Sequence, residues 1–283
     1  MAHLRIQYFS PRDDICDYVS SYYSVAFDEP LSDVMRAEIA SVRFITSGGL
    51  ITDVSGEDEA LSGKMSLLCG PTHRATKVSF EKGFHVFGAA VTPLGWARMF
   101  DVDAFALADR VVPFQPHVGP GQEQLVKRVL NAPDNQTRVT ACNHLFASMI
   151  DHDRAINEDF LKATTEWITD PANKDLDALL CRIDLSPRQV ERLCKRYFGC
   201  GPKMLHRKFR ALDSANRLSW ENLTDWRKAA GDHYHDQPHF IREFKHFIGR
   251  TPTEFINSRD LLVRATLEER LNIEHQSPLS LIG

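Results

Sequence analysis

Two segments fifty residues apart constrain this chain more than any other feature. The first, SPRQVERLCKRYFGCGP, runs from Ser186 to Pro202, and the second, DQPHFIREFKHFIGRTP, from Asp236 to Pro252. In the first, Ser186 is a favoured helix N-cap, and Pro187 follows where its missing N–H costs nothing. Val190, Leu193, Cys194, Tyr197 and Phe198 then recur at helical spacing and fill an arc of about 140°. Arg188, Arg192, Lys195 and Arg196 fall within about 100° on the opposite side. Gly199 is a natural stop. Shifted by fifty positions, Val190 meets Phe240, Arg192 meets Arg242, Lys195 meets Lys245, Gly199 meets Gly249 and Pro202 meets Pro252. Asp236 takes the capping place of Ser186, and the wet face carries His239, Arg242, Lys245 and His246. Two copies make a duplicated supersecondary unit, not a solenoid.

A short apolar helix is expected before each copy, in DLDALLCRI and in DWRKAAGDHY. Short helix, tight turn, basic helix is the plan of a helix-turn-helix unit, whose second helix fits the major groove of B-DNA. Two units on one scaffold suit neighbouring major grooves about 34 Å apart. Residues near each N-terminus are candidates for base edges: Arg188, Gln189 and Arg192 in the first unit, Gln237 and His239 in the second. Arginine grips guanine and glutamine grips adenine. Lys195, Arg196, Arg242 and Lys245 are candidates for phosphates. Glu243 is expected on the same face, where it would repel a phosphate.

Charge distribution agrees with a polyanionic partner. The net charge is only −4, but residues 174–258 hold 16 Lys and Arg against 11 Asp and Glu, whereas residues 1–173 hold 15 against 23. No apolar run of membrane-spanning length occurs and the N-terminus lacks a signal-peptide layout, so the expected address is cytoplasmic, away from membranes. Six scattered cysteines without a C-x-x-C pair read as reduced thiols.

The first 115 or so residues are strand-rich. VRFITSGGLITDV (42–54) reads as two β runs around a hairpin-like break at Gly48-Gly49, and PLGWARMF as a short helix. PFQPHVGPG (113–121) marks a boundary, after which the texture turns helical. Val139, Cys142, Phe146 and Met149 follow a 3-4-3 spacing that would serve either a dimer seam or packing on the chain's own front domain. The fold class expected is α+β. Residues 1–118 are expected to form a β-rich domain, 119–169 a helical linker or dimerisation region, 170–258 a double helix-turn-helix domain, and 259–283 a tail.

Residues 175–255 resemble the AraC/XylS-type transcriptional regulators, through LSPRQVERLCKRYFGCGPKML and DQPHFIREFKHFIGRTPTEF, with D-Q-x-H-F, R-x-F-K and G-x-T-P the most specific words. MLHRKFRALDSANRL would be the helix linking the two units. The resemblance implies a bacterial regulator that binds promoter double-stranded DNA through both units. It also implies a separate N-terminal domain that senses a small-molecule effector or makes a homodimer, and an activator working with RNA polymerase more than a repressor. The family places glycine in the turn where this chain has His233. Upstream, GPTHRATKVSF and VFGAAVTPLGWARMF look similar to the β-rich, cupin-like domains of some such regulators, and Trp96, Phe84, Phe87, Tyr22, Tyr23 and Arg43 are candidates to line a pocket.

Three other functions compete with this reading. His233, His235 and His239 in HYHDQPH form a candidate metal cluster, although Pro238 and the Asp236 cap put a turn among them. A protein-interaction module would use the basic helices to dock an acidic partner. An enzyme finds no Walker, H-E-x-x-H, G-x-S-x-G or dinucleotide motif, so neither catalysis nor a cofactor is expected.

Overall fold

The computed structural model describes residues 4–170, 176–223, 225–230, 234, 236–258, 262–271 and 279. Among them the front half contributes ten strands: β1 (Leu4–Phe9), β2 (Val19–Phe27), β3 (Leu31–Met35), β4 (Ser41–Ser47), β5 (Gly49–Thr52), β6 (Glu59–Ser62), β7 (Met65–Cys69), β8 (Thr76–Phe80), β9 (His85–Val91) and β10 (Val111–Pro113). They make two antiparallel sheets, ordered β1-β2-β9-β4-β7-β10 and β3-β8-β5-β6. Gly48-Gly49 is not a hairpin turn. β4 pairs with β7 and β9, whereas β5 pairs with β6 and β8, so the chain turns a corner there from one sheet to the other. Gly48 has φ +72°, and a Cβ on it would lie 2.6 Å from the Phe84 Cα. Only glycine permits this conformation so close to another backbone.

Strand alternation gives the larger sheet two buried faces. Val42 and Phe44 point one way, into a core shared with Tyr22, Phe87 and Leu68. Ile45, Val25 and Val86 point the other way, toward the smaller sheet. The first face is covered by helices that follow the strands: α1 (Pro93–Met99), α2 (Pro120–Asn131) and α3 (Asn135–Met149). Val139, Cys142, Phe146 and Met149 are all buried there, so the 3-4-3 spacing serves packing within the chain. Trp96 anchors α1, with its indole Nε1 donating to Val102 O at 2.8 Å.

The back half is helical: α4 (Glu158–Thr169), α5 (Asp177–Leu180), α6 (Pro187–Phe198), α7 (Pro202–Trp220), α8 (Trp226–Ala230), α9 (Gln237–Ile248), α10 (Pro252–Asn257) and α11 (Leu262–Arg270). One apolar core joins them, with Phe160 and Trp167 from α4, Leu193 from α6, Leu212 from α7 and Phe240 and Phe244 from α9. The α+β class expected from the sequence is therefore the observed one. Among the described residues no helix is long and apolar enough to cross a membrane.

Candidate nucleic-acid interface

The fifty-residue repeat is a structural repeat. The short α5 precedes α6, the short α8 precedes α9, and α7 connects the two units. Ser186 caps α6 in a capping box: its hydroxyl accepts from Gln189 N, and its own N–H donates to Gln189 Oε1 at 2.9 Å. Asp236 caps α9, accepting from His239 N at 2.7 Å. Gly199 and Gly249 end the helices in the left-handed region, at φ +84° and +85°. Pro202 and Pro252 then open α7 and α10.

The apolar arcs are buried as the periodicity requires, with Val190, Leu193 and Cys194 in α6 and Phe240, Phe244 and Phe247 in α9 all nearly inaccessible. On the outer faces Arg188, Gln189, Arg192, Arg196, Gln237, Arg242 and Lys245 are exposed, and Lys195 and His239 are half-buried. Gln189 is partly committed, because its Oε1 serves the cap. Lys195 pairs with Glu191 at 3.0 Å and lies 5.5 Å from the Phe105 ring centroid. Arg196 sits 3.6 Å from Asp103. Phe105 and Asp103 belong to the front half, so the cations at the C-terminal end of α6 face that half, whereas Arg188 and Arg192 carry no such contact.

Glu243 is not on the outer face. Its side chain is 1% exposed, beneath α9. Arg207 Nε donates to it at 2.5 Å, Arg210 Nη2 at 2.6 Å, and His239 Nε2 lies 3.1 Å away. Burial pushes this carboxyl up, but the hydrogen bonds from Arg210 and Arg207 outweigh it, and its pKa lies below the ordinary value. The repeat itself carried the signal: fifty positions earlier stands Leu193, an inward residue. The second unit has replaced an apolar contact by an ionic one that ties α9 to α7. The guanidinium of Arg210 also stacks 4.2 Å from the Tyr234 ring centroid.

The C-terminal ends of both basic helices dock on the β domain, a feature without periodic signature in the sequence. Ala75 N donates to His246 O at 2.9 Å and Ala37 N to Phe247 O at 2.7 Å. Arg250 forms an ion pair with Asp33. A Cβ on Gly199 would meet Pro71 Cγ at 2.4 Å, and one on Gly249 would meet Val34 Cγ1 at 2.3 Å. Each stop glycine thus serves twice, for its φ and for the close approach of the other domain. Gly249→Ala is expected to cost about 2 kcal/mol or more, from a left-handed non-glycine residue plus overpacking. Urea denaturation would measure it; a loss under about 0.5 kcal/mol would mean that the docking yields freely.

Lys208, in the middle of α7, is 2% exposed and donates from Nζ to Glu38 O at 2.6 Å. Burial pulls its pKa down to about 8; Cys200, Asp109 and Glu38 oppose this and Arg36 adds to it. The unfolded lysine titrates near 10.5. Between those values the unfolded chain binds more protons, so this group's contribution to stability rises as pH climbs from about 8 toward 10.5. Lys208→Met should remove that rise. Equal pH slopes for the two proteins over this window would show that Lys208 stays charged.

A cavity of about 100 Å³ lies between the two sheets. Tyr23, Arg43 and Phe84 line it as expected, but Tyr22, Phe87 and Trp96 do not. Those three belong to the core on the opposite face of the larger sheet: Tyr22 and Phe87 because consecutive strand residues alternate in direction, and Trp96 because α1 covers that face. Gly88 makes room for the pair that remains: a Cβ there would lie 2.1 Å from Tyr23 Cζ, and Arg43 Nε donates to Tyr23 Oη at 3.0 Å. The expected turn residue His233, and His235 of the candidate metal cluster, lie outside the described residues. Among the described residues no group of three or more His, Cys, Asp or Glu side chains is placed to hold a metal ion.

Comparison with known proteins matches residues 180–258 to a helix-turn-helix domain family. No curated protein matches. Among solved structures, the chain is similar to ToxT from Vibrio cholerae O395 bound to (E)-4-(8-methylnaphthalen-1-yl)but-3-enoic acid, at 7% identity over 90% of this chain and 98% of that one, with a TM-score of 0.48. A second ToxT structure, the 1.65 Å P21 form from Vibrio cholerae, gives 8% identity over 90% and 98%, with a TM-score of 0.47. A cupin superfamily protein from Desulfitobacterium hafniense gives 12% identity over 31% of this chain and 77% of that one, with a TM-score of 0.25.

Proposed function

We propose, from the premise that residues 180–258 are an AraC-type helix-turn-helix domain, that this chain is an effector-responsive transcription regulator that reads two neighbouring major grooves. The observation that carries this reading is the duplicated unit, capped and stopped alike, whose two helices keep cations exposed on their outer faces, Arg188, Arg192 and Arg196 in α6 and Arg242 and Lys245 in α9, while their C-terminal ends are docked on the β domain. Arg188, Gln189 and Arg192 are assigned to bases in one groove, and Gln237 and His239 to bases in the next; Gln189 does so through the amide nitrogen that its cap leaves over. Lys195, Arg196, Arg242 and Lys245 are assigned to phosphates. Sensing is assigned to residues 1–118, linkage or dimerisation to 119–169 and DNA binding to 170–258. The direction proposed is activation, through contact with RNA polymerase. A homodimer would need a surface other than the α3 seam, which is buried within the chain.

Binding of the intact protein to duplex DNA across a salt series tests the reading. Four phosphate contacts give a slope of log K against log salt of about −4. A protein that binds no duplex at low salt, and instead an acidic protein partner, would be an interaction module.

A further inference from the structure

The ionic cluster beneath α9 does more than join two helices, because it also holds a ring near the N-terminus of α9. Both oxygens of Glu243 are gripped from α7, Oε1 by Arg207 Nε and Oε2 by Arg210 Nη2 at 2.6 Å. With the side chain only 1% exposed, the orientation of the carboxylate is fixed. One helical turn toward the N-terminus stands His239, whose Nε2 lies 3.1 Å from Glu243 Oε1. Tyr234 meets the same ring edge-on, at 5.8 Å between centroids and 64° between planes. The His239 side chain nevertheless keeps 38% of its surface exposed.

This arrangement decides which ring nitrogen carries the proton. A carboxylate held between two guanidiniums only accepts, so the nitrogen beside it is the donor. A neutral imidazole has one N–H, and placing it on Nε2 leaves Nδ1, the ring's other polar atom, with a lone pair. The first unit is wired the other way. Fifty positions earlier, Leu193 stands for Glu243 and Gln189 for His239. The Gln189 carbonyl is taken by its own cap, accepting from Ser186 N at 2.9 Å and from Ser186 Oγ at 2.7 Å. What remains of that side chain is an amide nitrogen, which only donates. Two equivalent positions, each third in its helix, thus present opposite hydrogen-bond polarity. The major groove distinguishes the two: adenine and cytosine offer a donor there, guanine and thymine offer only acceptors, and cytosine alone lacks an acceptor.

We propose that Glu243 is a positioning residue for base recognition. It fixes His239 as a hydrogen-bond acceptor, so that the second unit selects adenine or cytosine at the base His239 meets, whereas Gln189 in the first unit rejects cytosine. The inference rests on the placement of His239 and Gln189 in the grooves under the proposed function, and it names what each of the two positions reads.

The test uses the full chain and two readouts. The first needs no DNA: nitrogen-15 shifts of protein labelled at histidine, with His239 identified by its loss in His239→Ala, should show Nε2 protonated and Nδ1 bare at about pH 8, above the ordinary histidine range. The variant Glu243→Leu with Arg210→Met, checked for folding by far-UV circular dichroism, should show a mixture of the two tautomers. The second readout is affinity for duplexes that carry each base in turn across the binding site. At one position, whose preference His239→Ala abolishes, adenine and cytosine on one strand should bind about fivefold or more tighter than guanine and thymine. The double variant should flatten that preference and leave unchanged the position governed by Gln189, where cytosine binds worst. A proton on Nδ1, alone or together with one on Nε2, overturns the acceptor assignment, as does a preference for guanine or thymine at the His239 position. A preference that survives in the double variant overturns the role of Glu243, and cytosine preferred at the Gln189 position overturns the contrast between the units. Sequence-selective binding that His239→Ala leaves intact at every position overturns the inference and keeps the regulator, whereas failure to bind any duplex removes both.

Discussion

Glu243→Ala is expected to destabilise the second helix-turn-helix unit by about 3 kcal/mol. The carboxylate is 1% exposed and accepts from Arg207 and Arg210, and Arg210 is itself only 13% exposed. Removing it takes from the buried Arg210 guanidinium its carboxylate partner, and breaking a buried pair from one side costs far more than the pair contributes net. The double variant Glu243→Leu with Arg210→Met should recover most of the loss, because it restores the apolar pattern that Leu193 sets in the first unit. The sign with pH is fixed by the depressed pKa. The stabilisation is present above the carboxyl's unfolded value and is lost as pH falls through the lower folded value. Urea denaturation of the three proteins at neutral pH decides the matter. A loss under about 1 kcal/mol for Glu243→Ala would mean that solvent screens the pair despite its burial.

The second large effect concerns binding rather than folding. Arg192 and Arg242 occupy equivalent positions in the two units, and both are exposed, so alanine at either should leave stability within about 0.5 kcal/mol. Their roles should nevertheless differ. Arg192→Ala is expected to cost about 1–3 kcal/mol of affinity for the preferred site and to relax preference at one base pair. Arg242→Ala should weaken all duplexes alike and flatten the salt slope by about one unit. The distinction follows the assignment proposed above: Arg192 is one of three base-reading candidates over the first two turns of α6, whereas in α9 Gln237 and His239 are the base-reading candidates and Arg242 is left the positioning role. Competition binding on a library of single-base variants, repeated at several salt concentrations, separates the two. A uniform loss for Arg192→Ala would move that residue to the phosphate set.

Much of this was readable from residue order because helices announce themselves locally. The caps Ser186 and Asp236, the stops Gly199 and Gly249 and the inward arcs of α6 and α9 each depend on neighbours within a few positions, and all stand where the periodicity put them. Glu243 was misplaced because its charge outweighed its position; the repeat, which sets it over Leu193, gave the better guide. The sandwich was harder. Gly48-Gly49 has the composition of a hairpin, and only the long-range pairing of β4 with β9 and of β5 with β8 makes it a corner. Tyr22 and Tyr23 are adjacent in sequence and lie on opposite faces of one sheet, so membership of the cavity wall could not be read from aromatic content. The docking of Ala37, Ala75 and Asp33 on the C-terminal end of α9 had no signal at all, since it runs through backbone groups and one ion pair between segments far apart in the chain.

The most direct test of the central claim is a chemical footprint of the intact protein on its preferred duplex, read at major-groove positions. Two protected patches on one face, centred about 10 base pairs apart, are expected, the first weakened by Arg192→Ala and the second by Arg242→Ala. A single patch, or two patches that respond identically to both substitutions, would contradict a protein that lays two separate helices into adjacent grooves.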